Sequence, residues 1–212
     1  VAGIRQGNQI WEDMLEAARL VGITMKFDTV VNANKEIYQL FGGEVEAQQN
    51  AAVDALKQVY GVEVPAMADV TVTSGYPLET NLIQSGKAIL LAETVTKPGG
   101  TIVLVSACSD GPGPLVYETL SQRPSAEEVI EWIACGKANT TGGPMASRMR
   151  ALVASKHLVV VSEGIKEQQL ADMDFGWAPS VDQAIADLAS TNGHRDAIVL
   201  PVGGSTFPYL AE

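Results

Sequence analysis

The sequence is poor in the side chains that bind metals or form disulfides. Its 212 residues include two cysteines and two histidines. Cys108 and Cys135 form no Cys-x-x-Cys pair, and His157 and His194 form no closely spaced histidine pair. Metal ligands in proteins usually come in such short spacings, so we predict no metal site held by this chain alone. Two cysteines without a disulfide framework are typical of a reducing compartment, and we predict a cytoplasmic location.

The chain is also short of basic residues and of long apolar runs. It carries 14 lysines and arginines against 25 aspartates and glutamates, which gives a formal net charge of −11. A nucleic-acid partner requires a basic patch that neutralises phosphates, so we expect none. No apolar run approaches the roughly 18 residues of a membrane span, and no signal peptide is visible, so we expect no membrane partner. The chain starts at Val1 instead of Met, which leads us to expect part of a longer protein.

The chain does contain enough apolar residues to form a core. Patterns typical of strands alternate along it with patterns typical of helices. Hydrophobic residues make up 46% of it. The periodicity predicts helices over 10–21, 45–60, 125–136, 145–156 and 180–189, with a further helix between 114 and 125. It predicts strands over 23–31, 36–41, 70–73, 101–106, 157–162 and 197–202. This alternation predicts an α/β fold, a three-layer Rossmann-like sandwich with a mainly parallel sheet and an antiparallel hairpin at one edge. No Gly/Ser-rich or charged linker divides the chain, so we expect a single domain over 1–212.

One strand–turn–helix stretch carries the candidate binding site. The predicted strand over 70–73 leads into Gly75-Tyr76-Pro77, where glycine permits a turn and proline cannot extend a ladder. A helix is predicted from about Glu79. In open α/β sheets, ligands bind beyond this end of the strands.

Three polar residues, Asn81, Gln84 and Lys87, recur at steps of three in that helix. At 100° per residue they lie on one side, along an arc of about 120°. An ordinary solvated helix face shows the same spacing, so the spacing alone leaves a ligand site and a solvated face both open.

The string Gly75-Tyr76-Pro77-x-x-x-Asn81-Leu82-x-Gln84-x-x-Lys87 resembles the C-terminal domain of the nickel-dependent lactate racemase family. Less specific matches occur at Gly7-Asn8, at 97–101 and around Cys108. The resemblance implies that Gly75, Tyr76, Asn81, Gln84 and Lys87 face the substrate or the cofactor. It assigns no catalytic and no metal-binding residue to this chain, which would be the C-terminal half of a larger two-domain protein.

The resemblance also implies an activity. The enzyme would racemise or epimerise a 2-hydroxy acid by hydride transfer to a nickel-pincer nucleotide. In that family, the lysine that tethers the cofactor, the nickel-binding histidine and the histidine pair that moves the hydroxyl proton belong to the N-terminal domain. That domain would be the partner of this chain. The chain would form the other wall of the cleft and would be inactive alone.

This sequence departs from the family pattern at three places. Ile83 stands where the family often has an aromatic residue, and Asn8-Gln9-Ile10-Trp11 stands where it has Asn-Pro-x-His. Pro144 and Met145 stand where a tryptophan is expected before the helix that leads to His157. These differences leave lactate and other 2-hydroxy acids open as substrates.

Two other functions remain open. The segment Lys97-Pro98-Gly99-Gly100-Thr101, a predicted turn followed by an apolar strand, also resembles part of class I S-adenosylmethionine-dependent methyltransferases. The Gly-x-Gly loop that those enzymes need does not precede Gly75. The second function that remains open is that of a non-catalytic binding or lid module. In addition, Asp110-Gly111-Pro112-Gly113 predicts either a plain tight turn or a backbone nest for an anion.

Overall fold

The computed structural model describes residue 5, residues 7–192 and residues 196–211. Its contacts divide the chain into two compact units, Val1–Gly61 and Val62–Glu212. The single domain over 1–212 stays a prediction, because a grouping of contacts does not test whether the units unfold together. No helix in the described part of the chain combines the length and apolarity that crossing a membrane requires.

The first unit consists of two helices and a β-hairpin. In chain order these are α1 (Gln9–Val21), β1 (Lys26–Val31), β2 (Ile37–Gly43) and α2 (Val45–Tyr60). The strands β1 and β2 are antiparallel, as predicted. They form a two-stranded sheet of their own, whereas we expected the hairpin to lie at one edge of the larger sheet. The helix α2 covers one of its faces, where Val30 and Phe41 pack against Ala52 and Ala55.

The second unit is built around a five-stranded sheet with the strand order β7-β6-β5-β4-β8. All neighbouring strands in it are parallel. The elements in chain order are β3 (Gly61–Val64), β4 (Ala68–Ser74), α3 (Leu82–Glu93), β5 (Thr96–Val105), α4 (Pro114–Leu120), α5 (Ala126–Ala134), α6 (Gly143–Val153), β6 (His157–Val161), α7 (Glu167–Asp172), β7 (Gly176–Trp177), α8 (Val181–Asn192), β8 (Ala197–Leu200) and β9 (Phe207–Leu210).

Helices cover both faces of this sheet. On the central strand β5, Ile102 and Leu104 belong to a buried cluster with residues of α3, α4 and α6, whereas Val103 belongs to a second cluster with Ala184 of α8. Alternate residues of a strand point to opposite faces, so a parallel strand between two helix layers is apolar throughout. The predicted fold class, a three-layer Rossmann-like sandwich, is confirmed.

Several boundaries differ from the sequence prediction. The short elements β3, α7, β7 and β9 were not predicted, and α3 begins at Leu82 instead of Glu79. The predicted turn at 97–100 lies within β5, as a bulge in the pairing with β4, because Ala68 lies opposite Thr96 and Val70 opposite Thr101. Residues 193–195, which include His194, lie outside the described residues.

Candidate functional site at the end of β4

The turn after β4 lies directly against the end of β5. The Gly75 N–H donates to the Val105 carbonyl at 2.8 Å, and the Leu78 N–H donates to the Gly75 carbonyl at 2.7 Å. The Tyr76–Pro77 peptide bond is cis. A Cβ atom on Gly75 would lie 2.8 Å from the Ser106 Cβ, which is closer than side chains approach one another. Glycine is therefore required at this position for space.

A pair of buried hydroxyl groups contacts the turn from the protein interior. The Ser85 Oγ of α3 lies 2.8 Å from the Ser106 Oγ, and it donates to the Leu78 carbonyl at 3.0 Å. Both serines are almost fully buried, so these bonds stabilise the site in a medium of low polarity. Sequence reasoning missed this pair, since no local pattern signals a contact between residues 21 positions apart.

The loop after β5 is bonded to the segment that precedes α3. The Asp110 N–H donates to the Thr80 carbonyl at 2.8 Å, and the Gly111 N–H donates to the Cys108 carbonyl at 2.7 Å. These two N–H groups point at carbonyls of the protein, so they are not available to an anion. Of the two interpretations left open for 110–113, the structure supports the plain turn.

The predicted polar stripe is present on α3, and its three residues contact one another in sequence. Asn81 caps the helix, and its Oδ1 accepts a hydrogen bond from the Gln84 N–H at 3.1 Å. The Lys87 Nζ reaches back towards the start of the helix and donates to the Gln84 Oε1 at 2.9 Å. Gln84 is half-buried and Lys87 is exposed.

The five predicted site residues therefore occupy different positions. Tyr76 is exposed, and its carbonyl accepts from the Gly204 N–H at 3.0 Å. Gly75 is buried under the turn, so its contribution is to the shape of the backbone. That these five residues face a substrate or cofactor stays a prediction.

The Lys87–Gln84 pair can bind an anion. An ammonium group has three donor hydrogens, and one of them is directed at Gln84. The group remains exposed, so a carboxylate or phosphate oxygen can reach it. The amide of Gln84 restricts where the ammonium lies, which reduces the conformational entropy lost when a ligand is bound.

The other polar candidates lie elsewhere. His157 is the first residue of β6, so in this parallel sheet it lies at the edge opposite the turn after β4. Within the described ranges, no three or more His, Cys, Asp or Glu side chains form a group that could hold a metal ion.

The Lys97 Nζ lies 3.0 Å from Asp69 and 3.6 Å from Asp196. Its hydrogen bond to Asp69 is the main cause of a raised Lys97 pKa. The segment 97–101, which resembles part of the methyltransferases, thus begins with a β-bulge near the amino ends of the strands, and the lysine in that bulge forms ion pairs with two aspartates.

Comparison with known proteins identifies relatives for most of the chain. Residues 63–206 match the family model described as the lactate racemase C-terminal domain. The chain is 27% identical over 203 residues to a lactate racemase of Lactiplantibacillus plantarum, covering 92% of this chain and 47% of that protein. It is 25% identical over 209 residues to a lactate racemase of Thermoanaerobacterium thermosaccharolyticum, covering 96% and 49%. The chain spans about half the length of the curated relatives it matches.

Two solved structures share the fold. The lactate racemase apoprotein of Thermoanaerobacterium thermosaccharolyticum superimposes with a TM-score of 0.86 at 23% identity, over 99% of this chain and 51% of that one. A protein from Thermotoga maritima gives 0.67 at 12% identity, over 98% and 55%. The family match, which extends over most of the chain, favours the racemase resemblance over the methyltransferase-like one. The chain therefore belongs to the lactate racemase C-terminal domain family.

Proposed function

We propose that this chain is the C-terminal part of a lactate racemase-like enzyme that racemises or epimerises a 2-hydroxy acid. Membership of the family and the printed names of the relatives support this proposal. The structural observation that carries it is the Lys87 Nζ held 2.9 Å from the Gln84 Oε1 beyond the carboxyl end of β4. Ligands of open α/β sheets bind at this end.

The role assigned to this pair is to bind and orient the substrate. Lys87 attracts the carboxylate of the 2-hydroxy acid as a point charge, and Gln84 holds the ammonium in position. The dipole of α3 adds partial positive charge near Asn81, while the Gln84 and Leu82 N–H groups themselves donate to Asn81 and Gly111. Tyr76 is exposed in the turn that precedes α3, and we assign to it an aromatic wall that displaces water from the bound acid.

The family resemblance also implies a nickel-pincer nucleotide. The residues of this chain do not fit a nickel site, because the described part offers no converging set of His, Cys, Asp or Glu ligands. We therefore assign the metal to the N-terminal domain of the longer protein. When bound there, the cofactor would supply hydride-accepting chemistry, and this chain alone would be inactive.

The partners and location belong to the same proposal. The partners are a small 2-hydroxy acid, lactate or another, and the N-terminal domain of the same protein. A net charge of −11 disfavours nucleic acid and anionic membrane surfaces. The low cysteine content, with two cysteines in the sequence, supports the proposal of a cytoplasmic location.

Substitution of the stripe in the longer protein tests the proposed function. Lys87→Ala removes the charge that binds the carboxylate, and we expect a loss of roughly 2–5 kcal/mol of transition-state stabilisation. Gln84→Ala should cause a smaller loss in the same direction. The measurement is kcat/KM for interconversion of the two enantiomers of lactate and of a bulkier 2-hydroxy acid.

The control is Lys156→Ala, which removes a lysine that immediately precedes β6 at the opposite edge of the sheet. Its kcat/KM should match that of the unmodified protein. For Lys87→Ala the free energy of unfolding should stay within about 0.5 kcal/mol, as is usual for exposed positions. Full activity in both stripe variants would show that the stripe is an ordinary solvated face.

A further inference from the structure

The hairpin of the first unit has one face that no described element of that unit covers. We call it the outer face, and its residues are Phe27, Thr29, Val31, Ile37 and Leu40. The register places Thr29 opposite Leu40 and Val31 opposite Ile37. Phe27, Ile37 and Leu40 are exposed by 65%, 68% and 63%.

The opposite face of the hairpin is the one that packs on α2. The Gln48 Nε2 of α2 donates to the Asp28 Oδ2 at 2.9 Å, and the Tyr38 Oη donates to the Gln58 Oε1 at 3.3 Å. An irregularity between Val30 and Val31 places Tyr38 on that inner side and Ile37 on the outer side. The outer face is therefore a mainly apolar surface that no described element of its own unit covers.

The first unit has a small apolar core, which indicates that it is not a complete domain by itself. Among its described residues, the buried apolar ones are Leu15, Val30, Phe41, Ala52 and Ala55. A two-stranded hairpin is marginally stable in water unless a further strand or layer supports it. Single exposed apolar residues are common on protein surfaces, but a sheet face formed mainly of them indicates an interaction site.

The position of the first unit outside the matched C-terminal domain indicates which partner covers the outer face. The match to the C-terminal domain family begins at residue 63, after the end of the first unit. The curated relatives nevertheless align over 92% and 96% of this chain, which includes most of the first unit, and each is about twice as long. The first unit thus accompanies the other half of those proteins without belonging to the C-terminal module.

We propose that the outer face of the hairpin docks the preceding half of the longer polypeptide, which covers it with an apolar layer. The inference rests on the part of the proposed function that assigns the chain to a larger protein, and not on the reaction. A segment joined to its docking surface by the chain itself has an effective concentration in the millimolar range, which favours it over a second copy of this chain.

The test is a binding experiment that needs no activity. The preceding half of the longer polypeptide carries an affinity tag and is co-expressed with the 212-residue chain. We expect stoichiometric co-purification of the unmodified chain. Leu40→Asp and Ile37→Asp place a charge on the outer face and should each reduce the captured amount at least tenfold.

The matched control is Ile130→Asp in α5, where the isoleucine is 59% exposed in the second unit. This variant should be captured like the unmodified chain, and all three variants should keep its thermal unfolding midpoint. In a second measurement, amide hydrogen exchange of peptides spanning 26–31 and 37–41 should slow when the two halves are mixed.

Two results would overturn the inference. Equal capture of all variants, together with unchanged exchange in the hairpin, would show that the outer face is not the docking surface. A homodimer of the 212-residue chain that Leu40→Asp dissociates, without capture of the other half, would assign the face to a second copy. A failed racemisation assay has no bearing on either measurement, so failure of the proposed reaction is distinguishable from failure of this inference.

Discussion

At the scale of single residues, Tyr117 and Asp172 form a short hydrogen bond that changes the ionisation of both. The Tyr117 Oη donates to the Asp172 Oδ2 at 2.6 Å. This bond is the first cause of a lowered Asp172 pKa, followed by the hydrogen bond from Gln168. It is likewise the first cause of a raised Tyr117 pKa. The pair therefore links α4 to α7 in a pH-dependent way.

The sign of that dependence follows from the two shifts. The lowered pKa of Asp172 contributes stability above the unfolded value of about 3.9, and the contribution is lost as the pH falls through the folded value. The raised pKa of Tyr117 contributes stability below about 10, and the contribution is lost as the pH rises through the folded value.

We predict that Tyr117→Phe lowers the free energy of unfolding most at pH values between these two ranges. The difference from the unmodified protein should shrink as the pH falls below the unfolded value of about 3.9 and through the lowered pKa of the folded Asp172. Urea unfolding across the pH range measures it. Tyr209→Phe, at an exposed tyrosine, serves as the control. A difference that does not change with pH would show that Tyr117 acts through packing alone.

Residue-scale reasoning predicted which side chains of α3 share one side of the helix. Gln84 and Lys87 were placed on one stripe because helical periodicity fixes which side chains share a side, and the structure joins them at 2.9 Å. The Ser85–Ser106 pair could not be found in this way. Its two members come together only when α3 and β5 pack, which is a tertiary event without a local pattern.

At the scale of elements, the start of α3 determines the geometry of the stripe. Asn81 accepts from the Gln84 N–H, so its side chain is used as an N-cap. We predict that Asn81→Ala lowers the free energy of unfolding by about 1 kcal/mol, whereas Asn81→Ser retains most of the stability, because serine also caps helices. Chemical denaturation measures both. Unchanged stability of Asn81→Ala with lost activity in the longer protein would assign Asn81 to ligand contact instead.

Element boundaries were predicted best where the signals are local. Asn8 caps α1 and Gly22 ends it in the left-handed conformation, and the capping box at Ser125 begins α5. The strand β3 was missed because its partner β9 lies near the other end of the sequence. The segment 97–100 was predicted as a turn from its Pro-Gly-Gly composition. It is a bulge instead, held where Lys97 meets acidic residues from two other places in the chain.

At the scale of the whole molecule, the two units differ in how much core they contain. The second unit holds both large buried clusters, and each fully buried leucine in them contributes about 1.5–3 kcal/mol. We predict that a fragment over 61–212 unfolds cooperatively in urea with nearly the midpoint of the full chain. A fragment over 1–61 should show no cooperative transition. Circular dichroism measures both, and a cooperatively folded 1–61 fragment would contradict the prediction.

The glycines at the carboxyl edge of the sheet have a consequence for how such proteins diversify. A Cβ atom on Gly164 would overlap the Cys108 carbonyl, and one on Gly203 would overlap the Thr73 hydroxyl. One on Gly204 would lie 2.8 Å from the Gly75 carbonyl. A methyl group at any of these three glycines would crowd a neighbouring atom, so substitutions there should lower the free energy of unfolding. Under the proposed function, we expect substrate preference to change through outward side chains such as Tyr76 and Lys87, because both are exposed and their substitution leaves this scaffold intact.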